Sequence, residues 1–166
     1  MRAPILAATL GAALAAAALA SASGPAHGAA APARTLIVTW KRSDYGPVVF
    51  VPSSKGRGDS FNRIRPGDVI LSTNVLRNAA GAPIGKVYQH LTFITASSNF
   101  MSADFEQSVY VFSDGQIAAT AVNVPGTSSA EAITGGSGAY AGARGTISDV
   151  SAAGSTTSRE AIRLLG

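Results

Sequence analysis

The chain has 166 residues, 13 of them Lys or Arg against 9 Asp or Glu, and no cysteine. Without cysteine there is no disulfide frame, no thiolate nucleophile and no cysteine metal site. A formal charge of +4 is too mild to mark a nucleic-acid binder by itself.

Residues 1–30 read as a secretory signal peptide. Arg2 gives a positive start, Ile5 to Ala20 is uncharged and rich in alanine and leucine, and Ala20-Ser21-Ala22 offers a small-residue cleavage site. Gly28-Ala29-Ala30 would also serve. The apolar run is too short and alanine-rich to span a bilayer comfortably. The expectation is a secreted protein with no membrane span after cleavage. Residues 31–166, roughly 135, suffice for one domain.

The first third of that domain carries Arg34, Lys41, Arg42, Lys55, Arg57, Arg63 and Arg65. No aromatic-rich recognition motif accompanies them, so they are read as solvated loops and strand edges rather than a nucleic-acid patch. Thr35 to Trp40 is β-branched and apolar, a turn runs over 41–47, and Val48 to Val51 resumes an extended stretch. Ser53 to Asn62 is a polar loop, and Pro66-Gly67-Asp68 a turn signal. Val69 to Leu76 and Gly85 to Thr95 read as two long antiparallel strands joined through 77–83, with a second loop over Ser98 to Asp104. Phe105 to Phe112 and Gln116 to Val124 flank Ser113-Asp114-Gly115, a tight hairpin.

Ala132 to Ile147 then holds five glycines, at 135, 136, 138, 142 and 145. It reads as a strand, a compact turn around Tyr140 and a second strand, a forced corner at which two strands would close a cylinder. The last segment, Thr156 to Leu165, stays open. Ser158 resembles a helix cap and good helix formers follow, while Glu160, Ile162 and Leu164 alternate with Arg159, Ala161 and Arg163 as a strand would. Short strands between evenly spaced turns predict an all-β sandwich or closed barrel.

Catalytic motifs are scarce. Gly136-Ser137-Gly138 lacks the third glycine of a dinucleotide fingerprint and the lysine of a P-loop, and Ala139 stands where a nucleophile elbow needs glycine. His90 is the one histidine beyond the signal segment, and its strand position fits a surface or packing role. One histidine and scattered carboxylates give no metal-binding pattern. Trp40, Phe50, Tyr88, Phe93, Tyr110 and Phe112 read as core or cavity lining.

Taken together, Gly67-Asp68, Asn74, the hairpin Asp114-Gly115-Gln116-Ile117 and the glycine-rich Ile133 to Gly145 resemble the allene oxide cyclase and dirigent superfamily, most closely its cyclase side. The resemblance spans Thr35 to the C-terminus, with the last third the most specific. It implies an eight-stranded antiparallel β-barrel with a largely apolar cavity, no cofactor and assembly as a homotrimer. It puts Asn74 where the cyclases hold a water or an epoxide oxygen, and Pro47 at a site-lining proline. The family's first-strand glutamate and asparagine fall at Val38 and Trp40, and its cavity cysteine at Leu91. Leu36 to Trp40 contains no carboxylate, so the charge-stabilising group of the cyclases is missing there.

Strand alternation in this register turns Leu36, Val38, Trp40, Ile70, Ser72 and Asn74 inward, with Leu76, Gln89, Leu91 and Phe93, and turns Tyr88 and His90 outward. The candidate site is therefore Asn74 as the catalytic group, with Trp40, Val38, Pro47, Ser72, Gln89, Leu91 and Phe93 as substrate-binding residues. Two functions are expected from it. One is a barrel that binds or guides a hydrophobic small molecule, as dirigent proteins do. The other is a cofactor-free cyclase or isomerase of a lipid or polyketide-like substrate, working by holding it near its reactive geometry.

Overall fold

The computed structural model describes residues 33–54, 63–96 and 102–165. The segment read as a signal peptide and most of the two loops over 53–62 and 98–104 lie outside these residues. Among the described residues no helix is long and apolar enough to cross a membrane.

Among the described residues nine strands follow one another: β1 (Arg34–Lys41), β2 (Val49–Val51), β3 (Val69–Arg77), β4 (Pro83–Phe93), β5 (Asp104–Phe112), β6 (Gly115–Asn123), β7 (Ala130–Gly138), β8 (Arg144–Asp149) and β9 (Thr157–Leu165). All pairings are antiparallel, in the order β1-β9-β8-β7-β6-β5-β4-β3-β2, and β1 also pairs with β3. That last pairing closes eight strands into a barrel. One edge of β3 is shared, with β2 along its first residues (Val51↔Val69 to Val49↔Leu71) and β1 at its end (Thr39↔Arg77). A 3-10 turn, Arg42–Asp44, interrupts the strand between them. Asp44 accepts the Lys41 amide at 2.7 Å, and Arg77 donates to it through Nε at 3.0 Å and Nη2 at 2.7 Å. The guanidinium holds the Asp44 carboxyl below the usual carboxylate range, helped by the Lys41 amide.

The C-terminal segment is a strand. Helix propensity would have left Glu160, Ile162 and Leu164 without a common buried face. As β9 they pair between β1 and β8, and all three are buried. Tertiary pairing overrides local preference here.

The barrel closes between β1 and β3, not at the glycine-rich stretch, which forms the β7–β8 hairpin. A Cβ at Gly145 would overlap the Arg163 carbonyl oxygen of β9, so only glycine lets these backbones approach. The turn plants Tyr140 in the barrel mouth, tilted against Phe112 at 5.4 Å and capped by the Arg34 guanidinium 5.0 Å from its ring centroid. It therefore plugs one end.

Behind that plug lies the larger apolar core, including Val38, Trp40, Leu76, Val87, Ile117 and Ile162. A smaller apolar cluster (Phe50, Ile64, Ile70 and Phe93) sits near the β2–β3 ladder. Between the two along β3 and β4, the inward positions are Asn74, Ser72 and Gln89. The expected inside–outside alternation holds: Val38, Trp40, Ile70, Asn74, Leu76 and Phe93 are buried, and Tyr88 is 47 % exposed.

Candidate functional site

The barrel interior is not the apolar cavity expected from the sequence. Beyond the Tyr140 end the inward positions turn polar on strand after strand. On β5 they run Tyr110, Ser108, Glu106, Asp104, all buried. Strand β6 adds Asn123, β7 adds Glu131 and β9 adds Glu160. The strands build this cluster because alternation delivers every second residue to one face, and the register aligns those faces.

Hydrogen bonds organise the β3–β6 side. Asn74 Nδ2 and Ser72 Oγ both donate to Gln89 Oε1, at 3.0 and 3.1 Å. Gln89 Nε2 then donates to Glu106 Oε1 at 2.8 Å, and Ser108 donates to the same oxygen at 3.2 Å. Asn123 Nδ2 bridges Glu106 Oε2 and Asp104 Oδ1, each at 2.9 Å. Burial raises the Asp104 carboxyl above its ordinary value, against the Asn123 hydrogen bond and together with the charge of Glu106.

On the opposite side, Tyr110 Oη lies 2.8 Å from Glu160 Oε2 and 3.0 Å from Glu131 Oε1. A phenol has one proton to donate. It serves one carboxyl and must accept from the other, so at least one of the two glutamates is a carboxylic acid. The electrostatics agree. Burial pushes Glu131 up to about 7, with the charge of Glu106 adding to it. Burial pushes Glu160 up to about 8, and Glu131, Glu106 and Asp149 raise it further. In both, the Tyr110 hydrogen bond pulls the other way. Burial, then the charges of Glu160 and Glu131, drives the phenol far above its ordinary value.

Gln89, Glu106, Asn123, Glu131 and Glu160 line a pocket of about 140 Å³ with Ile147, whose mouth carries the exposed Ser129 and Asp149. Three buried polar atoms among the described residues have no hydrogen-bond partner: Glu131 Oε2, Asn74 Oδ1 and Trp40 Nε1. Among the described residues no group of three or more His, Cys, Asp or Glu side chains is arranged to hold a metal ion.

The residues singled out from the sequence separate into four groups. Gln89 lines the polar pocket, and Asn74 and Ser72 reach it through Gln89. Val38 and Trp40 are packed into the large apolar core, and Phe93 with Leu91 into the small one. Pro47 is exposed and lies on the outer wall. There it borders a second groove of about 620 Å³ with Val49, Leu71, Tyr88, His90 and Val109, which Ser72 and Gln89 also border. His90 faces outward, 3.3 Å from Gln107 Oε1. The carboxylates missing from β1 are supplied instead by β5, β7 and β9. A signal for one strand was present: Asp104, Glu106, Ser108 and Tyr110 fall on alternate positions and so share a face.

Eight antiparallel strands closed in this order define an all-β barrel of the dirigent and allene oxide cyclase-like fold. Solved structures that share it include the following two. A pyocyanin demethylase matches at 21 % identity and a TM-score of 0.58, over 80 % of this chain and 99 % of that one. The pterocarpan synthase dirigent protein matches at 21 % and 0.59, over 82 % and 97 %. No family model and no curated protein matches the sequence.

Proposed function

We propose that this barrel is an exported acid–base catalyst that isomerises or cyclises a small molecule with its own side chains. The carrying observation is the Tyr110 phenol held between Glu131 and Glu160 in a buried pocket. A carboxyl that keeps its proton near neutral pH is what a general acid needs. Glu131, whose Oε2 has no hydrogen-bond partner among the described residues, donates its proton to an oxygen or a double bond of the substrate and becomes a carboxylate. Tyr110 passes a replacement proton from Glu160. Glu106, fixed by Gln89, Ser108 and Asn123, faces the positive charge that develops on the substrate. Glu160, left as a carboxylate by that relay, takes a proton back from the substrate after the bond shift, so both glutamates end as they began and the net reaction is an isomerisation. Asn74 and Ser72 act as positioning residues through Gln89.

The pocket admits only a reacting group. An open bowl of about 610 Å³ is bordered by Tyr45, Ser155, Thr156 and Ser158, whose hydroxyl groups would contact polar groups on the rest of a larger substrate. Ser158 and Glu160 stand two residues apart on β9, so their side chains leave the strand on the same face. The segment over residues 1–30 supports export, and the exposed apolar side chains Val49, Leu71, Tyr88, Phe105 and Val122 support assembly as a homotrimer. A binding or guiding barrel without turnover is the second reading. The mostly apolar outer groove at Pro47 and Val49 favours it.

One preparation tests both readings. Native mass spectrometry is expected to give a trimer mass. Incubation with epoxy-lipid, phenolic and polyketide-like compounds is expected to give a product of unchanged mass. In Glu131→Gln and Glu160→Gln that turnover falls by about 100-fold or more. Turnover that survives in both folded variants would refute the acid-catalyst reading, and a monomer would refute the assembly.

A further inference from the structure

We infer that the polar pocket takes a small organic cation, an ammonium- or guanidinium-like group, with Glu131 Oε2 as its principal contact. This deepens the acid-catalyst reading and rests on it, since a permanent cation occupies the place of a substrate made cationic by protonation.

Charge carries the first part. Four carboxyl side chains line the pocket, Glu106, Glu131, Asp149 and Glu160, with the neutral Gln89, Asn123 and Ser129 between them. No lysine, arginine or histidine stands among these lining residues. Low-dielectric walls around charge of one sign focus the field, so the pocket repels anions and concentrates cations. An acidic lining alone would not define a ligand. The second observation is the free oxygen of Glu131. That side chain is 9 % exposed, its Oε1 is engaged by Tyr110, and its Oε2 has no hydrogen-bond partner among the described residues. A buried carboxylate oxygen without a donor is costly, and an N–H of a cation satisfies it with a charge-assisted bond.

Size and depth set the rest. About 140 Å³ holds a handful of non-hydrogen atoms. Glu106, Glu131 and Glu160 are buried at the floor, while Asp149 and Ser129 at the mouth are exposed. A cation entering past Asp149 therefore loses water as it reaches Glu131. The Glu131–Tyr110–Glu160 group holds the phenol proton and at least one carboxyl proton, and binding releases a carboxyl proton: the protonated site and the free cation give the occupied site and a proton in solvent. Affinity then rises by up to about tenfold per pH unit until the site is ionised. The groups that set this titration are Tyr110 and Glu106 on β5, Glu131 on β7, Asp149 on β8 and Glu160 on β9.

Guanidinium and urea have the same shape and differ in charge, which makes them the probes. Calorimetry is run with the full chain at about pH 6 and about pH 8, in two buffers of different ionisation heat. Guanidinium is expected to bind, more tightly at the higher pH, with a buffer-dependent heat that reports the released proton. Urea is expected to bind at least about tenfold more weakly. Glu131→Gln should lose the preference for guanidinium. Carboxyl carbon shifts of Glu131 and Glu160 in the unsubstituted protein give the same readout should that variant fail to fold. Guanidinium bound no better than urea, or bound equally by Glu131→Gln, overturns the inference. The two readings fail separately. Glutamates that titrate near neutrality but ignore guanidinium leave the acid and remove the cation site. Glutamates that titrate at ordinary carboxyl values while guanidinium binds at Glu131 do the reverse.

Discussion

The two ends of the barrel use the same strands for opposite purposes. Toward Tyr140 the inward positions are apolar and tightly packed, and every gain comes from water removed from hydrocarbon. Toward Asp104 and Asn123, beside the small Phe50, Ile70 and Phe93 cluster, the same strands turn inward polar residues whose burial costs free energy unless they are bonded or neutral. Leu76 and Asn74 are two residues apart on β3, Tyr110 and Glu106 four apart on β5. What separates them is the neighbour each meets across the lumen. One half accordingly secures the fold, while the other buries the carboxyl groups of the proposed site at a cost in stability.

The largest test of this contrast lies in the apolar half. Ile162→Ala should cost about 2–5 kcal/mol in urea unfolding. That loss should be the same at acidic and at neutral pH, because no titrating group is removed. A strongly pH-dependent loss would mean that the halves are not separable.

The polar half should behave in the opposite way. Glu131 and Glu160 bind protons more tightly folded than unfolded, so their contribution is complete below the ordinary carboxyl value of 4.5. It is lost as pH rises through about 7 and about 8. Stability of the unsubstituted protein should fall across that window. Glu131→Gln/Glu160→Gln should remove the fall, leaving the variant more stable at about pH 8 by a few kcal/mol. A flat pH profile in the parent protein would contradict the buried acid pair.

The smallest effect is expected outside the lumen, at Asp44. Its carboxyl is held low by Arg77, so its contribution is present above the ordinary carboxyl value and disappears as pH falls through the lowered one. Asp44→Asn should lower the urea midpoint slightly near neutral pH and by less at acidic pH, since the Arg77 partner is partly exposed. An equal loss at both pH values would assign Asp44 a purely structural role.

Much of the fold was legible because β-branched runs and the Asp114-Gly115 turn speak locally. The alternation of β1, β3 and β4 also placed Val38, Trp40, Asn74 and Phe93 inside. The segment over Glu160 to Leu164 resisted, since its residues favour a helix in isolation and only β1 and β8 make it a strand. The site was harder still. Glu106, Glu131 and Glu160 are far apart in the chain, and each alone reads as a solvated surface charge. Only the register of the strands reveals that Glu131 and Glu160 meet at Tyr110 and that Glu106 lines the same pocket. The cylinder's closing point was likewise invisible, because β1 meets β3 through one residue pair.

The pairing of β1 with β9 over eight consecutive residues, Arg34↔Leu164 to Lys41↔Thr157, has a kinetic consequence. The first strand of the barrel to be synthesised has no full-length partner until the last one exists. Until then β1 and β8 present open edges, and the polar lumen lacks Glu160. Such a chain folds late and as a whole, with its longest loop closure left to the final step. Joining the neighbouring ends of β1 and β9 and opening the chain at the exposed Asn78–Ala82 loop would turn that slow closure into a local hairpin.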